Sequence, residues 1–345
     1  WPWELLQNAV DVAMEGGVDC TFVLSDGELT FTHNGAAFRM KEIAHLIYHG
    51  STKIDEPDKV RFGTGFITTH LLSKKTYVKG VLEDGRRFEF ELNRDGTSWK
   101  ELEDNMGRTE EEFVKSLGSN VILNKGETVE YRYPLSQQGP QTAIAGVRAV
   151  QMNIPFVLAL NDNLSSVTIV EKNVETTWSK LFDNQVLIDE GINIIPIQSI
   201  TEGKRTTYSI AVARQDSVAA AFLLSGEYPD YIIESIDKIP RLFYGFPLTM
   251  TEDFPLPVAI NSPAFIPRRE RDGLLLGPDP QKDNLSNKNL VEKGANLFLA
   301  LVKCAVRSRW RGLHQLAKIT SLPKKHCLDA QWLRSLCAKL ILDLK

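Results

Sequence analysis

Glu4, Asn8 and Asp11 stand in the run ELLQNAVD. At about 3.6 residues per turn, a helix places all three side chains on one face. Such a face is either a solvated stripe or the wall of a polar site. Three further segments carry residue types with matching uses. THNGAAF sets a glycine turn after a β pattern. HGSTKI places the hydroxyls of Ser51 and Thr52 beside Lys53, and RFGTGF is a glycine-rich loop (Gly63, Thr64, Gly65, Phe66) opening an apolar, helix-like segment. Backbone N–H groups of a glycine loop at a helix N-terminus cradle phosphate oxygens, because no Cβ blocks the approach and the helix dipole favours negative charge. Asn8 offers a hard oxygen to magnesium, which binds phosphates alongside one or two protein ligands. Glu4, one turn away, can polarise an attacking water as general base. Together the four segments suit a nucleoside triphosphate.

The elements that must position these groups follow from periodicity and turn residues. The first helix is expected to stop at Gly16-Gly17. CTFVLSDGELTFTHNG reads as a hairpin turning on Asp26-Gly27, and TYVKGVLEDG with RRFEFELNRDG as a second one on Asp84-Gly85. FRMKEIAHLIYHG has helical spacing, KELEDNMGRTEEEFVKSL is charged and peripheral, and TVEYRYPL is a strand. A helix near residues 140–153 precedes strands PFVLALN and SSVTIVEK. Beyond residue 178, INIIPIQSI, TTYSIAVAR and AAAFLLS are strand-like, and IPRLFYGFPL and FPLPVAINSPAF continue a β-rich section. Pro278, Pro280 and QKDNLSNKN mark a loop before a helical tail that starts at NLVEKGANLFLALVKCAV and ends on WLRSLCAKLILDLK. These readings predict an α+β protein of two domains, residues 1–178 and 179–345, the first with helices on one face of a mixed sheet.

Composition bounds the function classes. The 345 residues are 43% hydrophobic and 24% charged, with 40 basic against 44 acidic residues and a net charge of -4, so the whole chain does not attract nucleic acid electrostatically. RSRWRG, with Arg307, Arg309 and Arg311 around Trp310, is the one local basic patch, read as a solvated helix face. The cysteines Cys20, Cys304, Cys327 and Cys337 are scattered and form no CxxC pair, so neither a disulfide framework nor a zinc knuckle is indicated, which fits a reducing, cytoplasmic setting. His45 and His49 share a helix face without a third ligand or an HExxH pattern. No signal peptide and no apolar run near the roughly 18 residues of a membrane span is read. Starting without Met inside a helical pattern and ending on another, the chain reads as part of a longer polypeptide.

The order E-L-x-x-N-x-x-D, then N-G, then G-x-G-F resembles the GHKL ATPases: gyrase, ninety-kilodalton heat-shock chaperones, histidine kinases and MutL-type mismatch-repair proteins. Within that group VRFGTGFITTHLLSKKTYVKGVL is similar to the chaperone branch, particularly sacsin-like modules of large multidomain proteins. The resemblance implies a Bergerat fold, a two-layer α/β sandwich holding ATP and magnesium between helices and an adaptable lid. It implies Glu4 as catalytic base, Asn8 as magnesium ligand, Asp11 on the adenine side, and Gly63, Thr64, Gly65 and Phe66 as the lid's phosphate loop. Thr128, in GETVEYRYPL, matches the family's strand threonine near adenine, and Ser51, Thr52 and Lys53 resemble a MutL-type segment that approaches the phosphates.

Two positions depart from the pattern. His33-Asn34-Gly35 stands where the family has Asp-x-Gly, leaving a neutral His or an Asn carbonyl to accept the adenine amino group. Val60 replaces the lid's first glycine, which implies slow turnover. IPRLFYGFPLTMTEDFPLPVAINSPAFIPRRERDG resembles the transducer segment that follows such ATPase modules. There Arg271, flanked by Arg268 and Arg269, is the candidate for reaching the γ-phosphate. The implied activity is slow ATP hydrolysis whose lid closure reorients the second domain, with a homodimer and a protein client or effector as partners and no membrane. Two other classes fit the same motifs: an ATP-gated nucleic-acid clamp of the gyrase or mismatch-repair type, and a non-catalytic nucleotide sensor.

Overall fold

The computed structural model describes residues 1–48, 65–118, 129–181, 185–320 and 328–344. Two compact units emerge. The first comprises Trp1–Gln151, Asp162–Trp178 and Ile200–Lys204, and the second Met152–Asn161, Ser179–Ser199 and Arg205–Lys345.

Up to residue 180 the elements, which belong to the first unit except for the later part of α4 and the last two residues of β7, run α1 (Pro2–Asp11), β1 (Val18–Ser25), β2 (Glu28–His33), α2 (Met40–Ile47), a 3₁₀ turn (Gly65–Leu71), β3 (Lys75–Val81), β4 (Arg87–Asn93), α3 (Trp99–Ser116), β5 (Val129–Pro134), α4 (Gly139–Leu160), β6 (Leu164–Glu171) and β7 (Val174–Lys180). The strand order is β7-β6-β1-β2-β5-β3-β4. The β1/β6 pair is parallel and the β1/β2, β2/β5, β3/β5 and β3/β4 pairs are antiparallel, so the sheet is mixed.

Register separates its two faces. Phe90, Val78, Tyr131, Phe31, Phe22 and Ile169 stand opposite one another across six strands, and all six are buried. One residue along, the corresponding row is Glu89, Lys79, Glu130, Thr32, Thr21 and Thr168. Since side chains alternate with a period of two, one face is apolar and covered while the other is polar. This is the α+β class that the strand and helix patterns predict.

The charged segment expected to be peripheral is α3, and it has a structural task. Ser98 caps its N-terminus by accepting the Glu101 N–H at 3.2 Å. Four side chains spaced along one face bond the chain at β4, which ends the sheet. The Asn105 amide donates to the Asp95 carbonyl (3.0 Å) and Thr109 Oγ1 to the Glu91 carbonyl (3.1 Å). Glu112 and Ser116 Oγ accept the N–H groups of Glu91 (3.3 Å) and Glu89 (3.2 Å). Polar atoms of a helix thus stand in for a missing strand.

Four expectations about elements are corrected. Helix α1 ends at Asp11, and Gly16-Gly17 instead form the turn in which Met14 pairs with Gly17 before β1. PFVLAL continues α4 through Pro155. Residues 154 and 156–160 are all buried, and a short run buried on every side has no periodicity to separate strand from helix. That extension makes α4 long and apolar enough to cross a membrane by length and composition, with 67% of its apolar window buried in the fold. The third correction concerns ITTHL, which coils as a 3₁₀ turn rather than an α-helix. Fourth, most of QKDNLSNKN is helical, with Asn284 and Asn287 facing inward.

The second unit contains β8 (Val186–Asp189), β9 (Ile192–Thr201), β10 (Lys204–Gln215), β11 (Val218–Ser225), β12 (Ile232–Ile233), β13 (Leu242–Tyr244), β14 (Phe246–Pro247), β15 (Ala259–Asn261), α5 (Lys282–Arg307) and α6 (Ala330–Asp343). Its strands run β9-β10-β11-β15-β13-β14, with β12 on β11 and β8 on β9, and α5 packs on β11 and β15. Lys288 joins α5 to the Asp329 carboxylate at 2.6 Å, and Asp329 also caps α6 through the Trp332 N–H. RSRWRG is not a helix face: Arg307 ends α5 and pairs with Asp189. Trp310, 3% exposed, lies edge-on to Phe222 and Tyr231.

Thr109 is 2% exposed, so Thr109→Val keeps the shape of the helix-to-edge contact and removes its hydroxyl. Urea unfolding is expected to show a loss of about 1–3 kcal/mol, the cost of an unsatisfied buried carbonyl. A change near zero would mean that water satisfies the Glu91 carbonyl.

Candidate functional site

Helix α1 starts with Trp1 at its N-cap and Pro2 in its first turn, where the missing N–H is of no consequence. The Trp1 indole Nε1 donates to the Thr142 carbonyl of α4 at 3.0 Å. The ring lies so close to α4 that a Cβ on Gly146 would fall 2.2 Å from it; only glycine fits there. Leu5, Leu6 and Ala9 fill the core beneath α1. On its polar side Glu4 is buried at 7% exposure, and Asn8 and Asp11 are half-buried. Gln7 steadies this side by donating to Asp11 Oδ1 at 2.8 Å. The stripe is therefore not a solvated face: it holds a carboxylate largely shielded from water.

The His33-Asn34-Gly35 turn lies against the end of α1. Ala36 N–H donates to the Val12 carbonyl at 2.8 Å. A Cβ on Gly35 would stand 2.8 Å from Val12 Cγ2 and 3.0 Å from the Val12 carbonyl, so glycine permits the approach. His33 is 5% exposed, and its Nδ1 accepts the Gly35 N–H at 3.2 Å. That bond places the imidazole proton on Nε2. Burial pushes the His33 pKa down to about 4, so the ring is neutral through the physiological range. The Asn34 amide donates to Asp19 Oδ2 at 2.9 Å and accepts the Asp19 N–H at 2.7 Å, while Ser166 Oγ donates to Asp19 Oδ1 at 2.6 Å. His33 Nδ1 and Asn34 Oδ1, the acceptors expected at this turn, each hold a bond inside the turn and β1.

Asp19 and Ser166 were not anticipated from sequence, although a signal existed. A two-residue turn at Asp26-Gly27 pairs Ser25 with Glu28 and Cys20 with His33, and one step further brings Asp19 to Asn34.

The third segment enters at Gly65. Phe66 sets its ring 5.7 Å from that of Tyr131 on β5, and Thr69, fully buried, donates from Oγ1 to the Phe66 carbonyl at 2.7 Å. The 3₁₀ turn packs against α1. Ser51, Thr52, Lys53, Val60, Gly63, Thr64 and Thr128 lie outside the described residues, as do His49 and Cys327. Among the described residues no group of three or more His, Cys, Asp or Glu is placed to hold a metal ion.

In the second unit, RRERDG forms the tip of a tight turn in which Pro267 pairs with Leu274 and Arg268 N–H donates to the Gly273 carbonyl at 2.9 Å. Buried Asn287 of α5 holds its base. It accepts the Ile266 N–H at 2.8 Å and donates to the carbonyls of Ile266 (2.8 Å) and Leu275 (3.0 Å). Arg268 pairs with Asp272 at 3.4 Å, Arg269 is exposed, and Arg271 is half-buried with a left-handed φ of 53°.

A His whose folded pKa is depressed makes stability fall with acid. The unfolded chain takes up the proton near pH 6.5 and the folded chain only near 4. Wild-type stability is expected to drop by up to about 3 kcal/mol between those values, and His33→Gln to flatten that slope in urea titrations. Equal slopes would place the proton uptake elsewhere.

No protein-family model matches the chain, and no curated protein matches it. Among solved structures, the chain is similar to the 43K ATPase domain of Thermus thermophilus gyrase B, crystallised in complex with an aminocoumarin. The identity is 13%, 99% of this chain and 91% of that chain are covered, and the TM-score is 0.41.

Proposed function

We propose that the first unit is a GHKL ATP-binding module that hydrolyses ATP slowly. The observation that carries this reading is the convergence on α1 of three motif segments distant in sequence. Glu4 is buried on its polar side, the His33-Asn34-Gly35 turn bonds its C-terminal end through Val12, and the segment opening at Gly65 packs on it. In this reading Asn8 holds magnesium with the phosphates, and the ion would offset their charge. Glu4 takes a proton from the attacking water, its shielding from bulk solvent strengthening that interaction. Asp11 supports the base side with Thr128. Gly63, Thr64, Gly65 and Phe66 cover the phosphates, and Ser51, Thr52 and Lys53 approach them.

Residues 179–345 act as a transducer, with Arg271, on a turn anchored by α5, answering to the terminal phosphate. Nucleotide-driven closure reorients that part within a larger chaperone-like or defence protein of the sacsin type, working as a homodimer on a protein client in the cytoplasm. A second reading, a nucleotide sensor without turnover, draws support from the bonds that His33 and Asn34 make within the fold.

Single-turnover hydrolysis and calorimetry with magnesium-ATP separate these readings. Glu4→Ala is expected to bind ATP as wild type does and to lose about 100-fold or more in hydrolysis. Asn8→Ala should weaken magnesium-dependent binding about tenfold. Wild-type hydrolysis in both variants would refute the site, and ATP binding without turnover in the unaltered chain would select the sensor.

A further inference from the structure

Arg94 follows β4 directly and is 6% exposed. Its backbone N–H donates to the Lys74 carbonyl at 2.7 Å, and its Nη2 donates to the Leu46 carbonyl in the last turn of α2. There the guanidinium satisfies one of the carbonyls that a helix C-terminus leaves open. Its Nε and Nη1 are also buried, and neither has a hydrogen-bond partner. No carboxylate among the described residues forms an ion pair with it. The nearby acid Asp95 pairs instead with Lys74, at 3.4 Å.

Burial lowers the Arg94 pKa to about 10. His70, at the end of the 3₁₀ turn, is lowered by its own burial and then by the charges of Arg94 and Lys74. Lys74, whose carbonyl accepts the Arg94 backbone N–H, and His70 of the 3₁₀ turn are the basic neighbours of a guanidinium with unused donors. A buried, unpaired charge is among the costliest features a fold can keep, and bonding one helix carbonyl does not require it. Buried donors of this kind call for an ion or another acceptor.

We propose that Arg94 is the core of a site for a phosphate-type oxyanion, taken up by its Nε and Nη1. A multi-oxygen anion matches the two unused donors and the guanidinium charge that no described carboxylate offsets; guanidinium to phosphate is among the stronger charge-assisted pairings. The anion has two sources, free inorganic phosphate or the terminal phosphate of a nucleotide.

The experiment is thermal unfolding of the full chain with inorganic phosphate, magnesium-ATP or magnesium-ADP, against sodium chloride of matched ionic strength. It compares wild type, Arg94→Met and Arg94→Lys. Phosphate is expected to raise the wild-type midpoint along a saturating curve, with apparent affinity falling about tenfold or more in Arg94→Met. The same dependence on Arg94 seen with ATP but with neither phosphate nor ADP would support the site and name the nucleotide as the source. If Arg94→Met does not fold, the wild-type Arg94 Nε–H resonance, assigned from the Arg94→Lys spectrum, is followed during phosphate and ATP titrations and is expected to shift. An unmoved resonance, or anion effects identical in wild type and variants, would overturn the proposal and leave Arg94 as a clamp on α2. Stabilisation by phosphate in a chain that binds no nucleotide would refute the ATPase reading while supporting this site.

Discussion

The two-residue turn at Asp26-Gly27 sets the register of β1 against β2, and the geometry of the first unit depends on that register. It brings Phe22 opposite Phe31 in the apolar row and Cys20 opposite His33 at the end of the hairpin. One residue beyond, Asp19 meets the Asn34 amide, and Ser166 on the parallel neighbour β6 completes the network. A slip by a single residue would put Phe22 and Phe31 on opposite faces and separate Asp19 from Asn34. The turn that touches α1 is therefore located by backbone pairing some distance from it.

That dependence explains what could be read from the sequence. Both Asp-Gly hairpins, strand β5, the central strands β9, β10 and β11 and the terminal helices follow from alternation and turn chemistry. The α+β class follows with them. Three losses share a cause, namely that tertiary burial replaced the local signal. Residues 156–160 are buried on all sides and lack a period, so a helix looked like a strand. The asparagines of α5 resemble loop residues until Asn287 is seen bonding the base of the arginine turn. The charged face of α3 resembles solvent-facing helix until Asn105 and Thr109 are seen against β4.

For the candidate site, the placement of residues along α1 was legible and their hydrogen-bond partners were not. Glu4, Asn8 and Asp11 stand on the same side of α1 as helical spacing requires. The sequence offered no means of knowing that Asn34 would be drawn to Asp19, or that Arg94, an isolated arginine after a strand, would be enclosed. Among the described residues of this unit, Glu4, His33 and Arg94 meet burial differently. Glu4 sits in a polar stripe, His33 becomes neutral with a main-chain donor on Nδ1, and Arg94 keeps its charge with part of its donor set unused.

The covering of β4 by α3 has a consequence for the molecule in company. An open strand edge is a template for intermolecular pairing, and it becomes more dangerous as local concentration rises. Here the outer backbone groups of Glu89 and Glu91 are taken by Ser116, Glu112 and Thr109 of the same chain. Copies held side by side can crowd together without exchanging strands along that margin.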